Sequence, residues 1–249
     1  MSWVLPVVIV FLAGILTGLT GFGFSVLSVP LLLLLFTPHE VVVIALGLVP
    51  VTSAVLLLSP GLRGRIRLRT VATLTGFSVL GLPVGIVLFE YFDPLWVTGL
   101  TGIVLVGYAV YGLKGSRTLA IRRRWVAPSG VLGGILATST GLSGPAVAMY
   151  VHGRRVSPRE QAATMAAYVG AISVLGLGLL TLRGAVSLQD LQPVAKLAAG
   201  AVAGTVVGRW WATRQHATID RLTLVALGFM GLLTLARSVI TWMENGSWV

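Results

Sequence analysis

Gly14-Ile-Leu-Thr-Gly18-Leu-Thr-Gly21-Phe-Gly23-Phe-Ser-Val-Leu-Ser-Val-Pro30 interrupts a stretch that is otherwise apolar. The interruption recurs as Gly134-Ile-Leu-Ala-Thr-Ser-Thr140-Gly141-Leu-Ser-Gly144-Pro145-Ala-Val-Ala-Met-Tyr150. A run of Gly, Ser, Thr and Pro is an unfavourable place to break a helix in hydrocarbon. Every freed N–H and C=O must then find a partner in protein or in a water-filled cavity. Paired breaks at matching places in two halves point to a binding site between discontinuous helices of a carrier. Each break is expected to turn a helical hairpin, over residues 3–36 and 126–153.

The rest of the chain supplies the medium. Of 249 residues, 56% are hydrophobic and 10% charged, and mean hydropathy is +0.95, well outside a soluble composition. Segments 40–59, 68–92, 94–114, 158–182, 188–211 and 218–243 are long enough to cross a bilayer, leaving no sizeable soluble domain. The expected fold class is an all-α polytopic membrane protein with the lipid bilayer as its solvent. A net charge of +11 would suit a nucleic acid, but the basic residues sit in short loops between spans. There they read as topology signals, and no nucleic-acid partner is expected. With no cysteine, disulfides, thiol catalysis and Cys-held metals are out. The N-terminal Met-Ser-Trp lacks the basic n-region of a signal peptide, so the first segment is expected to be retained.

Sliding the chain on itself by 120 positions aligns Gly14-Ile15-Leu16 with Gly134-Ile135-Leu136 and Thr20-Gly21 with Thr140-Gly141. Pro38 and Glu40 then meet Pro158 and Glu160, and Leu62-Arg63-Gly64 meets Leu182-Arg183-Gly184. This is read as an internal duplication, with a first repeat over 1–120 and a second over 121–249. Beyond about residue 70 the copies drift, and the second carries a few extra residues around its third segment. Thr37-Pro38-His39-Glu40 and Ser157-Pro158-Arg159-Glu160 each have the form of a capping box with Pro at the first helical position. The cap accounts for the whole pattern; the other reading of these glutamates is a proton relay.

Charge orders the loops. Arg63, Arg65, Arg67 and Arg69 precede the third segment, and Lys114, Arg117, Arg122, Arg123 and Arg124 fill the central linker. Arg154, Arg155 and Arg159 follow the second break, and Arg209, Arg214 and Arg221 precede the last segment. Only Arg183, Lys196 and Arg237 lie elsewhere. All the basic loops fall on the cytoplasmic side if each broken segment is a re-entrant hairpin rather than a single crossing. The halves then have opposite topology, each a hairpin plus three spanning helices, with both termini extracytoplasmic. A plain eight-helix bundle leaves one basic loop on the wrong side.

Hairpin tips entering from opposite faces approach each other near the midplane. The second half-helices start at Phe24–Ser25 and Gly144–Pro145, presenting free N–H groups and positive dipole ends. Thr20, Gly21, Gly23, Ser25, Ser139, Thr140, Gly141, Ser143, Gly144 and Pro145 form the candidate substrate site, with Thr17 and Thr138 nearby. With no carboxylate near, such a site suits a small oxyanion. The bland reading is close helix packing through small residues, which covers Gly14-xxx-Gly18. Thr52, Ser53 and Ser173 are outer donors or back-bonded helix hydroxyls. Lys196 either draws the anion or snorkels to the surface. His39, His152 and His216 read as surface residues without a second metal ligand, and Trp3, Trp96, Trp125, Trp210, Trp211 and Trp242 as an interfacial belt. Without a nucleophile–base pair, metal motif or phosphate loop, neither an enzyme nor a cofactor is expected. A homo-oligomer is compatible with the sequence.

The glycine break leading to Pro30, its counterpart through Gly141-Leu-Ser-Gly144-Pro145, and the Thr-Pro-His-Glu and Ser-Pro-Arg-Glu openings resemble the TauE/SafE sulfite exporter family. The resemblance implies transport of sulfite or an organosulfonate such as sulfoacetate across a prokaryotic plasma membrane. The second copy departs from the pattern, with Thr138 in place of Gly18 and Tyr150 in place of Pro30. Hydropathy alone also admits an anion channel or a membrane assembly or insertion factor.

Overall fold

The structure is a computed structural model that describes residues 3–62, 64–91, 94–113, 123–152, 156–187 and 189–214, together with Leu232. The expected last helix at 218–243, most of the central linker, Arg63, Arg154, Arg155 and His216 lie outside the described residues. Among the described residues every regular element is helical. The order is α1 (Val4–Thr20), α2 (Phe24–Leu32), α3 (Pro38–Leu58), α4 (Leu68–Tyr91), α5 (Pro94–Leu113), α6 (Val126–Thr140), α7 (Pro145–His152), α8 (Pro158–Leu182) and α9 (Gln192–Arg214).

Length sorts these helices. α3, α4 and α8, of 21, 24 and 25 residues, are long and apolar enough to cross a membrane. α1 and α6, of 17 and 15 residues, are apolar but short of the ~20 needed, and each is followed across a glycine break by a helix of 9 or 8 residues. Each glycine break thus separates two helices, α1 from α2 and α6 from α7.

α3 and α8 begin as the sequence implies. Thr37 N–H donates to Glu40 Oε2 at 2.8 Å and Glu40 N–H to Thr37 Oγ1 at 3.4 Å. Ser157 and Glu160 repeat the box at 3.2 and 3.3 Å. These carboxylates are used as caps. α9 starts at Gln192 rather than at the 188 read from the sequence. The reason is local: Ser187 N–H and Oγ both bond Asp190 Oδ2, at 2.8 and 2.7 Å, which holds a turn just before the helix. Those hydrogen bonds keep the exposed Asp190 carboxyl below its ordinary range.

Packing is reciprocal. α3 lies along α8 at the centre, with Val41 to Leu46 buried. α1 lies along α9, and α6 along α4. Small residues allow both close approaches. A Cβ on Gly14 would stand 2.5 Å from the Ala201 carbonyl oxygen, and one on Gly18 2.5 Å from that of Thr205. In the other pair, Gly134 lies against the Ser78 carbonyl and Gly81 against that of Val131. Gly204 meets Phe11 as Gly81 meets Val131, and Gly208 meets Ile15 as Gly85 meets Ile135. The broken helices thus correspond at an offset of 120 and their partners at 123.

Candidate functional site

Both breaks are built on the same backbone device. α1 ends at Thr20, and Gly21 takes φ 87°, its N–H closing on Thr17 O at 2.8 Å. α6 ends at Thr140, and Gly141 takes φ 75°, its N–H closing on Ala137 O at 3.1 Å. A left-handed glycine just past a helix is the expected stop. Thr20 Oγ1 donates to Leu16 O at 2.8 Å and accepts from Phe22 N–H at 3.4 Å. Thr140 Oγ1 does the same with Leu136 O at 2.9 Å and Leu142 N–H at 3.3 Å. In each case one hydroxyl pins the corner.

The two corners meet around a buried cavity of about 10 Å³, room for about one water. The first break supplies Thr17 and residues 22–26, the second Ser143 and Gly144, α3 Val49, Thr52 and Ser53, and α8 Val169. No ionisable side chain lines it. Ser53 and Ser143 are 3% and 1% exposed, and their hydroxyls have no hydrogen-bond partner. Ser173, equivalent to Ser53 in the offset of 120, is buried and unpartnered too. Ser28, Thr75 and Arg209 also carry a buried polar atom without a partner, but of these groups only Ser53 and Ser143 line the cavity. An unsatisfied buried hydroxyl costs roughly 1–3 kcal/mol, so the two at the cavity are donors open to a ligand. α2 adds a first turn that no side chain caps, with Gly23 at φ 114° at its head. Its N–H groups and dipole end make the wall attractive to negative charge. The chemistry offered is neutral hydrogen-bond donation without a counter-cation.

The candidate residues divide. Gly23, Ser25, Ser143 and Gly144 line the cavity, and Pro145 is the buried first residue of the helix behind Gly144. Gly21 and Gly141 form the corners, packed on Ala162 of α8 and Ala45 of α3. The hydroxyls of Thr20 and Thr140 bind the corner backbone, and that of Ser139 donates to Ile135 O at 2.7 Å. Thr17 and Thr52 line the cavity while donating to helix carbonyls, at 2.9 Å to Ala13 O and 3.0 Å to Val49 O. Lys196 is away from the cavity, exposed on α9 with its ammonium 4.5 Å from the Trp3 ring centroid. The apolar walls, Phe22, Phe24, Val26, Val49 and Val169, were not singled out by sequence. Phe22 and Phe24 flank Gly23 in the opening stretch, which is the signal that was available.

The family model described as Sulfite exporter TauE/SafE matches residues 7–234. No curated protein and no solved structure matches the chain. The match spans most of the sequence, and the chain belongs to the TauE/SafE family. Together with the long apolar helices, this makes it a membrane-embedded transporter.

Proposed function

We propose that this protein exports a small sulfur oxyanion, sulfite or an organosulfonate such as sulfoacetate, across the plasma membrane. The anion binds where the two glycine breaks meet and is exposed alternately to each side. The observation that carries the reading is the charge-free cavity with the orphan hydroxyls of Ser53 and Ser143 beside the uncapped start of α2. The donors suit sulfur-bound oxygens, and the lining holds no carboxylate to repel them. Gly23, Ser25, Ser143 and Gly144 contact the ligand, while Thr20, Gly21, Ser139, Thr140, Gly141 and Pro145 hold the corners that present them. About 10 Å³ admits a water but not a sulfur oxyanion, so loading requires the breaks to separate. A site that must rearrange to load favours a carrier over an open channel.

In this reading residues 1–120 and 121–249 are inverted repeats. The pairs α1–α2 and α6–α7 are re-entrant hairpins from the outer and cytoplasmic faces, and both termini are outside. The recurrence of the same packing at offsets of 120 and 123 supports it, as does the one-sided placement of basic loops. Export of an anion from a negative interior is downhill by about 2.3 kcal/mol per charge per 100 mV, so the membrane potential suffices as driving force.

Proteoliposomes with potential and pH gradient imposed separately test both halves of the proposal. Saturable flux of sulfite, thiosulfate or sulfoacetate that follows the potential is expected. Flux that ignores the potential and tracks the pH gradient would overturn the energetic half, and conductance far above carrier rates would replace the carrier by a channel.

A further inference from the structure

The alternating arginines before α4 do more than mark a loop. Arg67, Arg69, Thr70 and Thr73 line an open groove of about 430 Å³, shared with Val126 at the start of α6 and Tyr150 on α7. Arg65, Arg67 and Arg69 are exposed, and Glu160, 3.6 Å from Arg67, is the one carboxylate paired with them among the described residues. The wall is fixed from behind by the Arg67 N–H donating to Thr164 Oγ1 at 3.2 Å.

What lies below the groove names its occupant. The exposed positions of α4 run Arg69, Thr73, Gly76, Leu80, Val84 and Val87, one stripe at helical spacing. It is apolar beyond Thr73, and a Cβ on Gly76 would meet nothing within 4 Å. Beside it Trp125, just before α6, and Pro128 and Leu132 on α6 are exposed. Such a stripe faces acyl chains, and an interfacial tryptophan with arginines at its head marks the headgroup level.

We propose that this groove binds the phosphate of an anionic phospholipid of the cytoplasmic leaflet, with Arg67 and Arg69 on the phosphate and the acyl chains along the α4 stripe. The site rests on the membrane embedding and on a cytoplasmic Arg67 loop, not on the transported substrate. A dissolved oxyanion would satisfy the arginines equally but would leave the stripe without a role.

Native mass spectrometry of the detergent-purified full chain, titrated with dioleoyl phosphatidylglycerol or dioleoyl phosphatidylcholine, tests it. The wild type should retain phosphatidylglycerol preferentially. Arg67→Gln with Arg69→Gln should weaken retention by roughly thirtyfold, the strength of two basic side chains at an anionic surface. Arg69→Gln alone, at an exposed position, should give about fivefold and keeps the test alive if the pair expresses poorly. Arg214→Gln, removing another exposed cation, should change retention less than twofold. Equal loss in Arg214→Gln would reduce the effect to diffuse charge and overturn the site. Displacement of the lipid by millimolar phosphate or sulfite would reassign the groove to a soluble anion, and undiminished retention in the double variant would dismiss it. Because the readout is lipid retention, failure of the transport reading leaves this result unaffected, and the reverse holds.

Discussion

The two glycine breaks share a backbone plan but are held by different chemistry. Along α1, Gly18 sits against the Thr205 carbonyl, and the Thr205 hydroxyl turns back to Ala201 O at 2.8 Å within its own helix. Along α6 the equivalent residue is Thr138, whose hydroxyl crosses to Leu82 O on α4 at 3.0 Å. Ser78 adds contacts from α4 to Gly130 O and to the Tyr168 hydroxyl, both at 2.8 Å. The first break is seated on α9 through close glycine–backbone contact, and the second adds side-chain hydrogen bonds to α4. The first also supplies half of the cavity lining against two residues from the second, with Phe22 lying over Gly144. The two similar breaks thus differ in role within the fold: the first contributes more of the cavity lining, and the second is hydrogen-bonded to its neighbours.

The sharpest way to break this comparison is to fill the seam between the copies. Gly144 has no left-handed φ, but a Cβ there would stand 3.1 Å from the Phe22 ring. Gly144→Leu should therefore insert normally and lose flux entirely, because the new side chain occupies the ligand's space. Gly21→Leu, at φ 87° and packed on Ala162, should lose flux as well. Full activity in the double variant, measured in proteoliposomes, would sink the site.

Next in size is a contrast between two serines of the second break. Ser143→Ala should weaken anion binding by roughly 1.5–3 kcal/mol, tenfold to over a hundredfold in Kd, since its free hydroxyl meets a charged group only when ligand is present. Ser139→Ala, whose hydroxyl already serves Ile135 O, should leave Kd nearly unchanged. Isothermal titration with sulfite distinguishes them, and equal effects would mean that the cavity is not where the anion sits.

The anchoring difference predicts smaller shifts in stability. Gly18→Ala forces a methyl to within 2.5 Å of the α9 backbone and should cost about 1–3 kcal/mol. Thr138→Val removes one crossing hydrogen bond and should cost about 0.5–1.5 kcal/mol. Denaturation in mild detergent should rank them in that order; the reverse ranking would contradict the account of how each copy is seated. The smallest effect expected is that of Lys196→Gln. With its ammonium over Trp3 and outside the cavity, KM for sulfite should change less than twofold.

Topology offers a separate check. The chain has no native cysteine, so single cysteines are clean reporters. Cysteines at Arg65, Arg124, Arg159 and Thr213 should react only from the cytoplasm, and one at Gln189 only from outside. Opposite-sided labelling at Arg124 and Arg159, which flank α6 and α7, would make that segment a single crossing.

Backbone punctuation was the legible part of this sequence. Glycines that must adopt left-handed φ, a proline that starts a helix and Ser/Thr-x-x-Glu boxes act through local sterics and local hydrogen bonds, so Gly21, Gly141, Pro145 and both caps could be read directly. The start of α9 was harder, because it depends on a Ser187–Asp190 hydrogen-bonded turn rather than on a cap pattern at the helix itself. Hydroxyls proved the least readable. Thr20, Ser139 and Thr140 occupy the last turn of a helix, where carbonyls four residues back compete for their protons. Ser143, one turn of chain further on, has no such carbonyl, and only the fold reveals that it ends in a cavity. The apolar walls carried no local signal beyond the flanking of Gly23 by two phenylalanines.

The crossed pairing of broken helices has a consequence in time. α6 follows its partner α4 after a short stretch of chain, whereas α1 is made long before its partner α9. At about 5–20 residues per second, the 171 residues between them take on the order of ten to thirty-five seconds to make. For that interval the glycine face of α1 is without its partner, a longer wait than that of α4 for α6. A chain stalled before Gln192 should still crosslink through Gly14 and Gly18 positions to the insertion machinery, and release on synthesis of α9 should be abrupt.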